Sequence, residues 1–292
     1  MNNSDVYQKV ADAITDSLAK GIVPWHQPWR SLCPQNAHTK KAYRGVNPYL
    51  LFNTDFQDPR WLTFNQAKDL GGSVKKGEKG RFIVFWKMLE SKTEAKKTIP
   101  FLKYSTVFNL EQTEGCRAEP LAELIQRNDG NPIDLAESIV KGMPKKPEVQ
   151  HGPSARACYT PTRDLVQMPT ATQFDSMGLY YRVLFHELAH STGHFSRLNR
   201  FSAENFTDAG YSKEELIAEA AAAMLSAVAQ LDVRIEQSAA YMKGWASHIQ
   251  SDPRAFVTAF SQAQKVSDFI TGNLEEKKMF TTDGEGEYAE AA

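Results

Sequence analysis

The sequence predicts an α+β protein of two domains, a small α+β one followed by a mostly helical one with a short sheet. Three observations carry this. At 292 residues, with 41% hydrophobic and 24% charged content, the chain is long enough for two cores and ordinary for a globular protein. Strand-like apolar runs dominate its first third, and long helix-period runs dominate its last. Charge divides the same way: residues 1–120 hold 18 Lys and Arg against 12 Asp and Glu, the remainder 16 against 23. The expected division is 1–118, then 119–280, then an acidic tail over 281–292.

Val6, Val10, Ile14 and Leu18 repeat at helical spacing, so residues 4–20 read as an amphipathic helix ended by Gly21. Two Pro-Trp pairs, Pro24-Trp25 and Pro28-Trp29, cannot continue it and predict an extended aromatic loop reaching Arg30. After Lys40-Lys41-Ala-Tyr43-Arg44-Gly45-Val-Asn47-Pro48, a helix is expected from Tyr49, and Trp61 to Ala67 read as a strand running into a helix. Residues 71–81 form a glycine-rich basic loop feeding the strand 82–87, and a second strand covers 103–109. The lysine-rich stretch 92–98 between them predicts a mobile loop.

Residues 111–120 look like the join. Helices are expected from Pro120 and over 133–140, with 142–149 as a connector. Residues 157–169 predict two short strands around a turn, and 174–190 a helix interrupted at Gly178. A polar stretch, 196–213, leads to an alanine-rich helix reaching Leu231; helices at about 237–250 and 253–272 complete the chain. No internal repeat is visible.

No run approaches about eighteen apolar residues, and the N-terminus has no basic-then-apolar export pattern, so membrane partners are not expected. Cys33, Cys116 and Cys158 are odd in number and far apart. They suit neither a disulfide framework nor a paired-cysteine zinc site, and predict a reducing, cytoplasmic location.

The chemistry concentrates in His186-Glu187-Leu188-Ala189-His190, an H-E-x-x-H. On a helix, positions i and i+4 share a face, so both imidazoles can reach one ion, with Glu187 placed to take a proton from water. Two histidines need a third protein ligand. The H-E-x-x-H-x-x-G-x-x-H pattern fails, because position 196 is Ser196; His194, directly after Gly193, is expected to shape the pocket rim. Glu215 and Glu219, spaced i and i+4 on the alanine-rich helix, are the candidates. This layout resembles the gluzincin arrangement. The expectation is Glu219 as ligand, with Glu215 hydrogen-bonding an imidazole; a thermolysin-like order would use Glu215 instead. Zinc is the expected ion, another divalent metal the alternative, and Tyr211 a candidate oxyanion donor.

In the first half, Trp25, Trp29, Tyr43, Trp61 and Trp86 are interleaved with Arg30, Lys41, Arg44, Lys75, Lys76 and Lys79, and these, with Asn47, are the candidate DNA contacts. Stacking faces beside phosphate-neutralising cations suit single-stranded DNA, and nearby glycines would let backbone amides approach a phosphate.

In order, Gly21-x-x-Pro24-Trp25-x-x-Pro28-Trp29, Tyr43-Arg44-Gly45-x-Asn47, Trp61-x-Thr63, Gly71-Gly72-x-x-x-x-Gly77-x-x-Gly80 and Val107-Phe108-Asn109 resemble the ArdC-type antirestriction proteins of conjugative plasmids. The stretch from His186 through Arg197-Leu-Asn-Arg200 to Glu219 resembles their zincin-like metallopeptidase domain. The resemblance covers about residues 5–275. It implies a single-stranded-DNA-binding N-terminal domain, protection of incoming plasmid DNA from host restriction, and a peptidase-like C-terminal domain. A metal that only holds the fold, or a regulatory peptidase acting on a host protein, are the alternatives.

Overall fold

The computed structural model describes residues 3–26, 33–52, 55–90, 98–126, 130–153, 156–201, 208–232 and 239–273. Trp29, Arg30, residues 92–97 of the lysine-rich stretch and the acidic tail lie outside the described residues, and Thr98, the last of that stretch, opens a strand.

The first half builds α1 (Asn3–Ala19), β1 (Gln35–Asn36), α2 (Asn47–Phe52), β2 (Arg60–Leu62), α3 (Phe64–Asp69), β3 (Ser73–Val74), β4 (Arg81–Glu90), β5 (Thr98–Asn109) and β6 (Thr113–Glu114). Its main sheet runs β1-β2-β5-β4, with β4 and β5 antiparallel and Val84 opposite Tyr104. Strand runs into helix after Leu62 because Thr63 caps α3 through a reciprocal box with Gln66. The glycine-rich loop is partly a strand, β3, paired with β6. Gly72 permits this: a Cβ there would lie 2.4 Å from the backbone of Glu114 and Cys116.

The second half contributes α4 (Leu121–Gln126), α5 (Pro132–Gly142), β7 (Glu148–Gly152), β8 (Cys158–Thr160), β9 (Leu165–Pro169), α6 (Met177–Ser191), α7 (Asp208–Val228), α8 (Ala239–Ser251) and α9 (Pro253–Ile270). The two expected strands are joined by a third, in the order β7-β9-β8. Strand β7 falls where a connector was expected, since Glu148, Gln150 and His151 are polar and exposed on an edge strand with a single partner. Helix α6 starts at Met177 behind the Ser176 cap, so Gly178 lies in its first turn and interrupts nothing. Helix α7 begins at Asp208, inside the stretch expected to be polar loop.

One apolar core crosses the two halves. Val6, Val10, Ile14 and Leu18 of α1 and Trp25 share a buried cluster with Phe185, Leu216, Phe256 and Phe260. No helix among the described residues is long and apolar enough to cross a membrane.

Candidate metal centre

Helix α6 carries the histidines and α7 packs across it. Leu184, Phe185, Leu188 and Ala189 give α6 a buried back, which leaves His186 and His190 turned toward α7. Their Nε2 atoms lie 3.1 Å apart. Glu215 reaches both, at 3.5 Å from Nε2 of His186 and 3.4 Å from Nε2 of His190. Ligand atoms of His186, His190 and Glu215 all fall within 4.8 Å of one another.

The expectation for the two glutamates is reversed by this geometry. Glu219 stands 3.6 Å from Nδ1 of His186, on the far side of the ring from Glu215. One turn of helix separates them along the α7 axis, and only the residue nearer the N-terminus reaches both Nε2 atoms. The other imidazole has a counterpart that the sequence reading missed. Glu214 lies 3.5 Å from Nδ1 of His190. Each of these carboxylates is held in turn by an arginine: the buried Arg182 contacts Glu219 at 3.3 Å, and the part-buried Arg200 contacts Glu214 at 2.6 Å. The signal available in the sequence was the pair Glu214-Glu215 facing two basic residues, Arg182 and Arg200, that bracket the H-E-x-x-H.

Glu187 is buried and its carboxyl is raised by desolvation, which outweighs the opposing pull of His186 and His190. The backbone amide of Tyr159, in edge strand β8, also bonds it. Burial works against the His190 cation, but hydrogen bonds to Glu214 and Glu215 prevail and push it up to about 9. Burial likewise works against the Glu215 anion, and bonds from both imidazoles hold it well below the usual carboxylate range.

The loop after α6 is fixed to the sheet. Arg197 binds the Ser191 carbonyl at 2.7 Å and pairs with Asp164 at the β8–β9 turn, where Tyr159 donates to the same carboxylate at 2.8 Å. Gly193 is needed because a Cβ would sit 2.5 Å from the ring of Phe201, which stacks on Tyr159. His194 turns its Nδ1 to Ser196 at 2.8 Å. The side chain of Tyr211 lies outside the described residues.

The expected DNA contacts divide sharply. Trp25, Tyr43, Trp61 and Asn47 are buried, which corrects their assignment as contact residues. Trp25 packs against Trp245, Phe256 and Phe260. Asn47 bonds the backbone of Val84 in both directions at 2.8 Å, and Trp86 packs against Tyr7 and the core. Burial of apolar rings outcompetes surface stacking, which composition alone does not reveal. Arg44 pairs with Asp268. Lys41, Lys75, Lys76 and Lys79 are exposed, and the exposed aromatics of this half among the described residues are Phe64 and Tyr104, with Lys68 and Lys9 over their rings at 4.9 and 4.1 Å.

Two imidazoles and a carboxylate, oriented from behind by further carboxylates, are a donor set that fits a divalent metal ion. Residues 136–262 match a family model for zincin-like metallopeptidases, and residues 4–108 match the N-terminal domain of the anti-restriction factor ArdC. Two DNA primase TraC proteins of Escherichia coli are 34% and 32% identical over 94% of this chain, which spans only 27% and 20% of their length. The uncharacterized protein y4eC of Sinorhizobium fredii is 32% identical, with 91% of this chain and 92% of that protein covered. The metal-free crystal structure of the antirestriction ArdC protein from plasmid R388 superposes with a TM-score of 0.75 at 35% identity, covering 92% of this chain and 97% of that one. Its Mn(II)-bound structure gives 0.73 at 36% identity, covering 91% and 97%.

Proposed function

The chain belongs to the ArdC family of antirestriction proteins, and on that premise we propose that it binds single-stranded DNA, protects incoming plasmid DNA during conjugation, and carries a zinc-dependent peptidase centre. It acts in the cytoplasm of the cell that receives the DNA. The carrying observation is the convergence of His186, His190 and Glu215 beside the buried Glu187.

The ligands are His186, His190 and Glu215. Glu219 and Glu214 face the outward ring nitrogens, Nδ1 of His186 and Nδ1 of His190, and hold each ring with Nε2 turned to Glu215. A divalent ion supplies Lewis acidity, which polarises a carbonyl and lowers the pKa of water toward neutrality. Glu187 accepts and returns the proton; its burial raises its basicity toward that task. Edge strand β8, tied to Glu187 through the Tyr159 amide, lies where an extended peptide of a host protein would be aligned. The exposed lysines at 41, 75, 76 and 79 carry the DNA contact, with Phe64 and Tyr104 in place of the buried tryptophans.

Metal analysis of the purified chain, with oligonucleotide titrations across salt, tests this reading. Stoichiometric zinc and a steep fall in single-strand affinity with salt are expected. A preparation that takes up no divalent ion, or whose oligonucleotide affinity ignores salt, rules it out.

A further inference from the structure

Within the motif Tyr43-Arg44-Gly45-x-Asn47, the Arg44 guanidinium and the Gly45 amide reach the second half of the chain. Phe260, Gln264 and Asp268 recur every four residues along α9 and so form one stripe. The first half engages each of them. The ring of Tyr49 meets Phe260 edge-on at 5.0 Å. The Gly45 amide donates to Oε1 of Gln264 at 3.0 Å, and Arg44 pairs with Asp268, which Gln264 also contacts at 3.1 Å. Asn47 ties this segment to β4 through both of its bonds to Val84.

Behind the stripe, α9 packs against α7, the helix that carries Glu214, Glu215 and Glu219.

We infer that residues 44–49 are a clasp that positions the glutamate-bearing helix, so that the metal centre is completed by the N-terminal half. The inference rests on the reading of His186, His190 and Glu215 as ligands. Arg44 and Tyr49 touch no ligand, and act through α9. Linkage makes the effect reciprocal: the ion tightens the clasp as much as the clasp tightens the ion.

The test uses the full chain with Arg44→Gln, Asp268→Asn, their double variant and Arg44→Lys. Zn2+ affinity is read by chelator competition, and amide hydrogen exchange is read on metal-free protein. Each single variant is expected to weaken Zn2+ binding about three- to tenfold. The double variant should be no weaker than the worse single one, and Arg44→Lys should recover part of the loss. Exchange over residues 214–222 should rise. Unchanged Zn2+ affinity, with faster exchange confined to 44–50 and 260–270, overturns the inference. If wild type takes up no Zn2+, or His190→Ala binds it equally well, the ligand reading fails on its own account. Exchange over 214–222 then decides the clasp: a rise upholds it and no change overturns it.

Discussion

Glu219 faces Nδ1 of His186 at 3.6 Å, and is held there by Arg182. A carboxylate facing that nitrogen orients the ring with Nε2 toward Glu215, so it shapes the site from behind the ring. His190, Glu214 and Arg200 repeat the arrangement on the other ring. Three nearly adjacent acids on one helix thus do two kinds of work.

Their ranking by mutation follows. Glu215→Ala should remove measurable Zn2+ retention, because it deletes the carboxylate that reaches both Nε2 atoms. Glu219→Gln and Glu214→Gln should each weaken affinity by about 10- to 100-fold. Chelator competition measures all three, and a weaker effect from Glu215→Ala than from Glu219→Gln would restore Glu219 as the ligand.

Glu187→Gln should keep metal content and single-strand binding and abolish peptide cleavage, since the amide cannot accept a proton. Elemental analysis beside a peptidase assay with a general protein substrate checks it. Loss of metal in this variant would place Glu187 among the ligands.

Metal affinity should depend on pH with a definite sign. Without metal, His190 holds its proton up to about 9, so binding below that pH must displace it. Apparent Zn2+ affinity is therefore expected to climb about tenfold per pH unit between 6 and 8 and to level off above 9. In the metal-free chain the stabilising effect of His190 runs the other way. It is fully present below the unfolded value near 6.5 and is lost as pH rises through about 9. Thermal melts without metal, across the same pH series, read that second slope.

Trp25→Ala should destabilise the chain by about 3–5 kcal/mol, because it empties a fully buried site among Trp245, Phe256 and Phe260. Lys75→Ala with Lys76→Ala and Lys79→Ala should leave the melting temperature nearly unchanged and flatten the salt dependence of oligonucleotide binding. Denaturation and salt-series titrations on the same preparations separate the two. A stable Trp25→Ala chain with lost DNA affinity would return Trp25 to the surface role.

Gly193→Ala should lower stability by about 1–3 kcal/mol, as its methyl group would press on the Phe201 ring. The same turn leads to Arg200, so Zn2+ affinity should drop with it. Calorimetry with and without the ion checks both effects.

Periodicity alone located α1, α6, α8 and α9, because an apolar stripe every three or four residues has few alternatives. The H-E-x-x-H needed only helical geometry to bring two imidazoles together, and local spacing determined that much. Three things were decided by packing between distant segments. Which of Glu215 and Glu219 meets the Nε2 atoms depends on how α7 crosses α6, a matter of a fraction of a helical turn that no local signal records. The tryptophans and Tyr43 look the same in sequence whether they stack on bases or on each other, and only the shared core shows that burial won. Strand β7 exists because β9 offers it a partner, since its own residues have little β preference. Interactions close along the chain were written in residue order; those made across it had to wait for the fold, since their geometry belongs to pairs of elements and to neither alone.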